Sequence, residues 1–403
     1  MSIDSIPTEA RALAPELIAL RHKLHGIPEV ALDLPETGRA IRAEIDRLGL
    51  EVHSAEHVTG FMAVLRGGKA PRDLAKRPIV LLRADMDALP VTEDTDLDWK
   101  STNGAMHACG HDVHMSGLVG AMRILAARAD ELAGDVVFMF QPGEEGRDGA
   151  QHMINEGLLE AAGRLPDHAY GLHVWAGRYP TGFIGTRPGA MMASDDVIRI
   201  TVRGRGGHGS APHETCDPIP IAAEIITQVQ VMVAREFSIF DPVVATCGYV
   251  HAGSAPNVIP GTAELGYTLR AFAPATSGRL ARRLIELAER IAAAHGATAD
   301  CDYTPLYPVT MNREDEYTFA AGVVDEVLPG RWVLQSEPMA AAEDFAKVLE
   351  RIPGCFIGVS AVPAGKDASE QAFNHSAQAV FSDEVVPDCA TILASLAYAR
   401  LTR

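Results

Sequence analysis

The sequence predicts an α/β protein, with a mostly parallel-sheet αβα domain interrupted by a smaller two-layer α+β domain. Three observations predict it. At 403 residues the chain is longer than one hydrophobic core usually spans. Apolar strand-like runs alternate with helical stretches up to residue 193. Beyond that point, strand-like runs alternate apolar and polar side chains, as in an antiparallel sheet with one solvated face.

The elements follow in order. Residues 8–24 have helical periodicity and 36–48 repeat it, with Gly49 closing the second helix. Residues 78–84 form an apolar strand centred on Val80, Leu81 and Leu82, which runs into Asp85-Met86-Asp87-Ala88-Leu89-Pro90. A long helix is expected over 112–129, then strand 135–140, helix 148–156 and strand 168–174. Such βαβ units bury both sheet faces and place ligands beyond the carboxyl ends of the strands. Asp85, Asp87, Glu144, Glu145 and His173 fall at those ends. Residues 196–203, 242–250 and 262–272 read as strands, and 217–236 and 277–295 as helices. That β-α-β-β-α order predicts an insert over 194–302. The first domain then resumes over 303–403, with helices at 314–328 and 342–350, a strand at 356–359 and a helix from 385.

Composition narrows the function. A formal net charge of −18 argues against nucleic acid, which needs a basic face. The first residues lack a basic segment and an apolar core, so no secretory signal is expected. No apolar run approaches a membrane span. Six scattered cysteines without framework spacing predict reduced thiols and a cytoplasmic setting.

The chemistry concentrates in Cys109-Gly110-His111-Asp112-Val113-His114, which packs a thiol, two imidazoles and a carboxylate into six residues. Alone, Cys109 would be a small buried hydrophobe. Its neighbours make it a thiolate ligand beside His111 at a helix start, with His107, Asp112 and His114 as supporting or helix-start residues. Glu144-Glu145 after a strand is either a solvated acidic turn or a pair that divides metal binding and base chemistry. His173 is either a satisfied core histidine or a ligand at a strand end. Asp85 and Asp87 either orient a ligand imidazole or cap a turn. His375, in Phe373-Asn374-His375-Ser376, is left open by the pattern. Counted together, Cys109, His111, Glu145, His173 and His375 are too many for one tetrahedral catalytic site, and suit two metals sharing a bridge.

These segments resemble the aminoacylase-type metallopeptidases with a dinuclear site. More narrowly, they resemble the amidohydrolase branch that contains hippurate hydrolases and indole-acetyl-amino-acid hydrolases. The likeness runs from His25-Gly26-Ile27-Pro28-Glu29 through Arg83 to Pro90, Cys109 to His114, Gln141 to Gly146 and Gly171 to Trp175. It continues through Gly206-Gly207-His208-Gly209-Ser210 and Pro256-Asn257-Val258-Ile259-Pro260 to Asn374-His375. The resemblance implies two divalent metal ions per subunit, Zn or Mn first and Co or Ni as alternatives. It implies that Cys109 bridges them, that His111 and His173 complete one site and that Glu145 and His375 complete the other. Glu144 is then the general base for a metal-bridging hydroxide, and His208 stabilises the oxyanion, often in a partner's site. Asn257 and Arg270 take the substrate carboxylate or the tetrahedral intermediate. Asp85, Asp87, Asp112 and His114 stand behind the ligands. Residues 1–193 with 303–403 become the metal-binding catalytic domain, and 194–302 a lid and dimerisation domain. The implied substrate is a small N-acyl-L-amino acid, hippurate-like with an aromatic acyl group or acetylated. N-acetyl-diaminopimelate deacetylation and small-peptide hydrolysis are alternatives.

Other classes fare worse. Gly204-Arg205-Gly206-Gly207-His208-Gly209 matches a dinucleotide fingerprint, but Ser210-Ala211-Pro212-His213 does not start a helix. No G-x-S-x-G elbow supports a serine hydrolase. A non-catalytic binding module would not need the full ligand set.

Overall fold

A computed structural model of the chain describes residues 2–403. Two compact units emerge. One runs through residue 191 and resumes over Met311–Glu337 and Asp344–Arg403; the other comprises Met192–Thr310 and Pro338–Glu343.

The larger unit begins with helices α1 (Ile6–His25) and α2 (Pro35–Asp46), then strands β1 (Glu51–Ser54), β2 (Phe61–Leu65) and β3 (Ile79–Asp85). Helix α3 (His111–Ala126), β4 (Asp135–Gln141), α4 (Gly149–Asn155), β5 (His168–Trp175) and β6 (Ile184–Thr186) follow. The smaller unit contains β7 (Asp195–Arg203), β8 (Gly207–His208), α5 (Pro218–Glu236), β9 (Val243–Ala252), β10 (Val258–Ile259), β11 (Thr262–Ala271), α6 (Pro274–Ala294) and β12 (Thr298–Tyr307). The larger unit then closes with α7 (Glu314–Val327), β13 (Trp332–Leu334), α8 (Ala346–Leu349), β14 (Gly354–Ser360) and α9 (Val385–Thr402).

The eight-stranded sheet has the order β1-β2-β4-β3-β5-β14-β6-β13. Its centre, β4-β3-β5-β14, is parallel, and β1, β2 and β6 pair antiparallel beside it. The mixed α/β architecture with a mostly parallel sheet agrees with the sequence expectation. Every residue of β3, β4 and β14 is buried, which explains their continuous apolar character. Val80, Leu82 and Ala84 of β3 join one core with Leu17, Leu20 and Leu24 of α1 and Leu118 of α3. The opposite face of β3 carries Arg83 and Asp85, since side chains alternate along a strand. Full burial of a leucine such as Leu82 stabilises the fold by about 2 kcal/mol.

In the smaller unit, β9-β11-β7-β12 form an antiparallel sheet with α5 and α6 packed on it. Asp217 caps α5 by accepting from Ile219 N at 2.9 Å. Helix 342–350 contracts to the single turn Ala346–Leu349. Strands β1, β2, β6, β12 and β13 were not anticipated. The five residues of β2 are all buried and show no alternation. Strand β12 runs through the expected boundary at 302 and pairs with β7. It carries Asp300 and Asp302, poor strand formers offset here by ion pairs to Arg203 and, at 3.9 Å, to Arg199. Among the described residues, no helix is long and apolar enough to cross a membrane.

Candidate metal centre

The site is assembled from loops at the carboxyl ends of β3, β4 and β5. Strand β3 delivers Asp85 and, in the next turn, Asp87. Helix α3 starts at His111 because Gly110 adopts φ +82°, and a Cβ there would lie 2.4 Å from Val174 Cγ2. After β4, Gly143 at φ +66° turns the chain so that Glu144 and Glu145 follow directly. The Asp87 carboxylate accepts from Glu144 N at 2.9 Å and Glu145 N at 3.1 Å, which fixes that turn. His375 sits in a loop at φ +72°, its own NH donating to Ala108 O at 2.8 Å.

Five groups of three donor atoms result among the described residues, and two of them share Cys109. Those of Cys109, His111 and His173 lie within 4.8 Å of one another, and so do those of Cys109, Glu145 and His375. Cys109 belongs to both. Its Sγ is 3.3 Å from His173 Nε2, while Glu145 Oε1 is 3.2 Å from His375 Nε2 and 4.0 Å from His111 Nε2. His111, Glu144 and Glu145 make a further group of the same size.

The hydrogen-bond network sets the tautomers. His111 Nδ1 donates to Asp87 O at 2.7 Å and His173 Nδ1 to Val174 O at 2.9 Å, which leaves each Nε2 lone pair facing the cluster. Burial lowers the pKa of both imidazoles, so they are neutral, the form that binds metal. Burial disfavours ionised Glu145, yet His375, His111 and Cys109 more than offset it and the carboxyl titrates low. Burial, with Glu145 and Glu144 close by, pushes the Cys109 thiol well up. His111 Nε2 is buried without a hydrogen-bond partner, an arrangement that costs about 1–3 kcal/mol in the absence of a counterpart. One thiol, three imidazoles and a carboxylate, with the orphaned lone pair of His111 among them, fit divalent cations.

Asp85, Asp87 and His114 stand beside these donor atoms. Asp85 Oδ1 accepts from His114 Nδ1 at 2.6 Å, and Oδ2 accepts from Arg83 Nη1 at 2.7 Å. His114 Nε2 accepts from Val174 N at 2.9 Å, so both its ring nitrogens are occupied. Asp85 is fully buried, yet Arg83, His111 and His114 hold it well below the usual carboxylate range. Asp87 serves two purposes, its carbonyl orienting His111 and its carboxylate holding the glutamate turn.

Asp112 faces elsewhere. It pairs with Arg21 Nε and His25 Nδ1, both at 3.0 Å, and His25 Nε2 reaches Glu93 at 3.0 Å. Burial opposes charge on His25, but the two carboxylates prevail and its pKa is raised to about 9. This network ties α1 to the start of α3. His107 is buried with neither ring nitrogen hydrogen-bonded, and burial lowers its pKa to about 3.

Two further features were not singled out from the sequence. Trp175 stacks on His173 at 4.2 Å between ring centroids, and Phe373 stacks on Trp175 at 6.0 Å while remaining 40% exposed. Asn374 joins the end of β5 to Cys109. The pair Asn374-His375 marked the segment, but nothing local indicated the reach of the amide.

His208, Asn257 and Arg270 belong to the smaller unit. His208 and Asn257 are neighbours there, since Val258 pairs with His208 and Gly209 N donates to Asn257 O at 2.8 Å. His208 Nδ1 accepts from Ser210 N at 3.2 Å, which leaves its exposed Nε2 as the protonated, donating end. Arg270 lies at the far end of β11 and pairs with Asp195 at 2.6 Å, a partner the sequence did not suggest.

A sequence profile of peptidase family M20/M25/M40 matches residues 81–399. The chain is 34% identical to thermostable carboxypeptidase 1 of Saccharolobus solfataricus over 88% of each chain. It is 35% identical to the IAA-amino acid hydrolase ILR1-like 2 of Arabidopsis thaliana, over 94% of this chain and 84% of the relative. The crystal structure of the Bacillus subtilis YXEP protein, a dinuclear metal binding peptidase from M20 family, superposes with a TM-score of 0.82. That comparison has 30% identity and covers 97% of this chain and 99% of the other.

Proposed function

The chain belongs to peptidase family M20/M25/M40, metal-dependent hydrolases of amide bonds, and on that premise we propose that it cleaves N-acyl-L-amino acids to a carboxylic acid and a free amino acid. The observation that carries this reading is Cys109, shared between two three-residue ligand groups with Glu144 beside them. Cys109, His111 and His173 would hold one divalent ion, and Cys109, Glu145 and His375 the other. Bound there, the ions supply Lewis-acid polarisation of the amide carbonyl and a water of lowered pKa.

The chain's own residues do the rest. Glu144 is only 7% exposed and is held by Asp87 in the ligand turn. It takes the proton of the attacking water and returns it to the leaving nitrogen. His208 offers Nε2–H to the developing oxyanion. Arg270 and Asn257 receive the α-carboxylate, for which the guanidinium fork is suited. Phe373, exposed and stacked on Trp175, favours an aromatic acyl group, and the name of the Arabidopsis relative points to the same class.

The smaller unit acts in this reading as lid and dimerisation domain. Its β9 is an edge strand, and Ile239 and Phe240 are 84% and 91% exposed. Light scattering showing only monomer would remove the dimer.

The test of activity is amino-acid release from hippurate, indole-acetyl, acetyl and dipeptide substrates, including N-acetyl-diaminopimelate. Chelated protein is reloaded with Zn, Mn, Co or Ni. Metal-restored release from N-acyl amino acids, with aromatic acyl groups preferred, is expected. Release only from dipeptides would replace the reading with peptide hydrolysis.

A further inference from the structure

Asn374 reaches Val174, Ala176 and Cys109 with one side chain. Its Oδ1 accepts from Ala176 N at 2.9 Å, which identifies the oxygen end of the amide. Its Nδ2 donates to Val174 O at 2.9 Å and points at Cys109, with O at 3.4 Å and Sγ at 3.7 Å. A primary amide has two N–H donors, so one serves Val174 and the other is left for the cysteine. Through one side chain, the loop carrying His375 is therefore clipped to the end of the strand carrying His173 and to the residue the two ligand groups share.

We infer that Asn374 is a positioning residue for the Cys109 thiolate, donating Nδ2–H to its sulfur while locking His375 and His173 in register around it. This rests on the reading of Cys109 as the bridging ligand. An N–H donor on a thiolate withdraws charge from the sulfur and fixes the direction of its lone pairs, which tunes how strongly it holds two ions. Asparagine is the residue for this task. Aspartate keeps the acceptor for Ala176 but turns the donor toward Val174 and Cys109 into a second acceptor. Alanine removes both ends. Neither change touches a group that contacts substrate.

The experiment compares the Co(II)-loaded wild type with Asn374→Asp, Asn374→Ala and Cys109→Ser. The readouts are the near-ultraviolet thiolate-to-cobalt charge-transfer band, the affinity for each Co(II) equivalent, and the melting temperature. The wild type should show the band and Cys109→Ser should lack it. Both Asn374 variants should shift the band and bind at least one Co(II) about 10–100-fold more weakly. If Asn374→Ala does not fold, Asn374→Asp carries the comparison. An unshifted band with unchanged affinities in folded variants, with only the melting temperature lowered, would reduce Asn374 to a loop clip and overturn the inference. Absence of the band in the wild type would instead remove Cys109 as a ligand, and the inference would fall with that reading.

Discussion

The carboxylate of Asp87 accepts a 2.9 Å hydrogen bond from the backbone NH of Glu144. An aspartate after β3 thus sets the orientation of a glutamate after β4, and the two strands are adjacent and parallel. The two carboxylates, neighbours in sequence, stay close in space, with an oxygen of each and a His111 ring nitrogen within 4.8 Å of one another. Glu145 lies among the imidazoles, and Glu144 remains beside them in the same turn.

The reading of Glu144 as the base predicts the behaviour of Glu144→Ala. Turnover should fall by at least about 10²–10⁴-fold, the usual contribution of a general base. Bound metal, measured by elemental analysis, should be unchanged. Retained turnover at unchanged metal content would assign the proton transfer to another group.

Arg270 is engaged by Asp195 at 2.6 Å. A substrate carboxylate would share or replace that partner. Arg270→Ala should cost about 2 kcal/mol, roughly thirtyfold in kcat/KM, on substrates with a free α-carboxylate. The matching carboxamides should be nearly unaffected. Equal losses on both would mean that Arg270 holds β11 to β7 rather than the substrate.

Phe373 presents an exposed ring two residues before His375. Phe373→Ala should lower kcat/KM on benzoyl and indole-acetyl substrates by about tenfold relative to acetyl ones, the scale of one lost aromatic stack. An unchanged ratio would remove Phe373 from acyl recognition.

His25 makes a pH prediction away from the ligands. Its pKa is raised from 6.5 to about 9 by Asp112 and Glu93, against burial. A raised imidazole stabilises the fold fully below pH 6.5 and loses that contribution as the pH climbs through 9. The amount at stake is on the order of 3 kcal/mol. Urea midpoints should fall across that window in the wild type. In His25→Gln they should be lower and nearly flat there. Parallel curves would show that His25 does not carry the dependence.

What could be read in advance divides along physical lines. Cys109, His111, Glu144 and Glu145 each follow a strand or open a helix and His173 lies near the end of β5, and the parallel-sheet rule places such positions together. His375 has no such local mark: it lies in an irregular loop, and the family resemblance rather than periodicity brought it into the ligand set. Strand β2 escaped because Phe61 to Leu65 are buried on both faces and carry no period-two signal. Strand β12 escaped because Asp300 and Asp302 are poor strand formers, and the arginines of β7 that pair with them are about a hundred residues away. Separation in sequence likewise hid Asn374, whose partners are at Cys109 and the end of β5, and Asp195 opposite Arg270. Asp112, expected behind the ligands, instead serves Arg21 and His25, because the first turn of α3 points it at α1.

The central claim is that one thiolate joins two metal sites, and anomalous scattering from crystals of the Zn-loaded protein tests it most directly. Two peaks per chain are expected, each about 2.3 Å from Cys109 Sγ. One should be completed by His111 and His173, the other by Glu145 and His375. A single peak, or two peaks that do not share the sulfur, would contradict it.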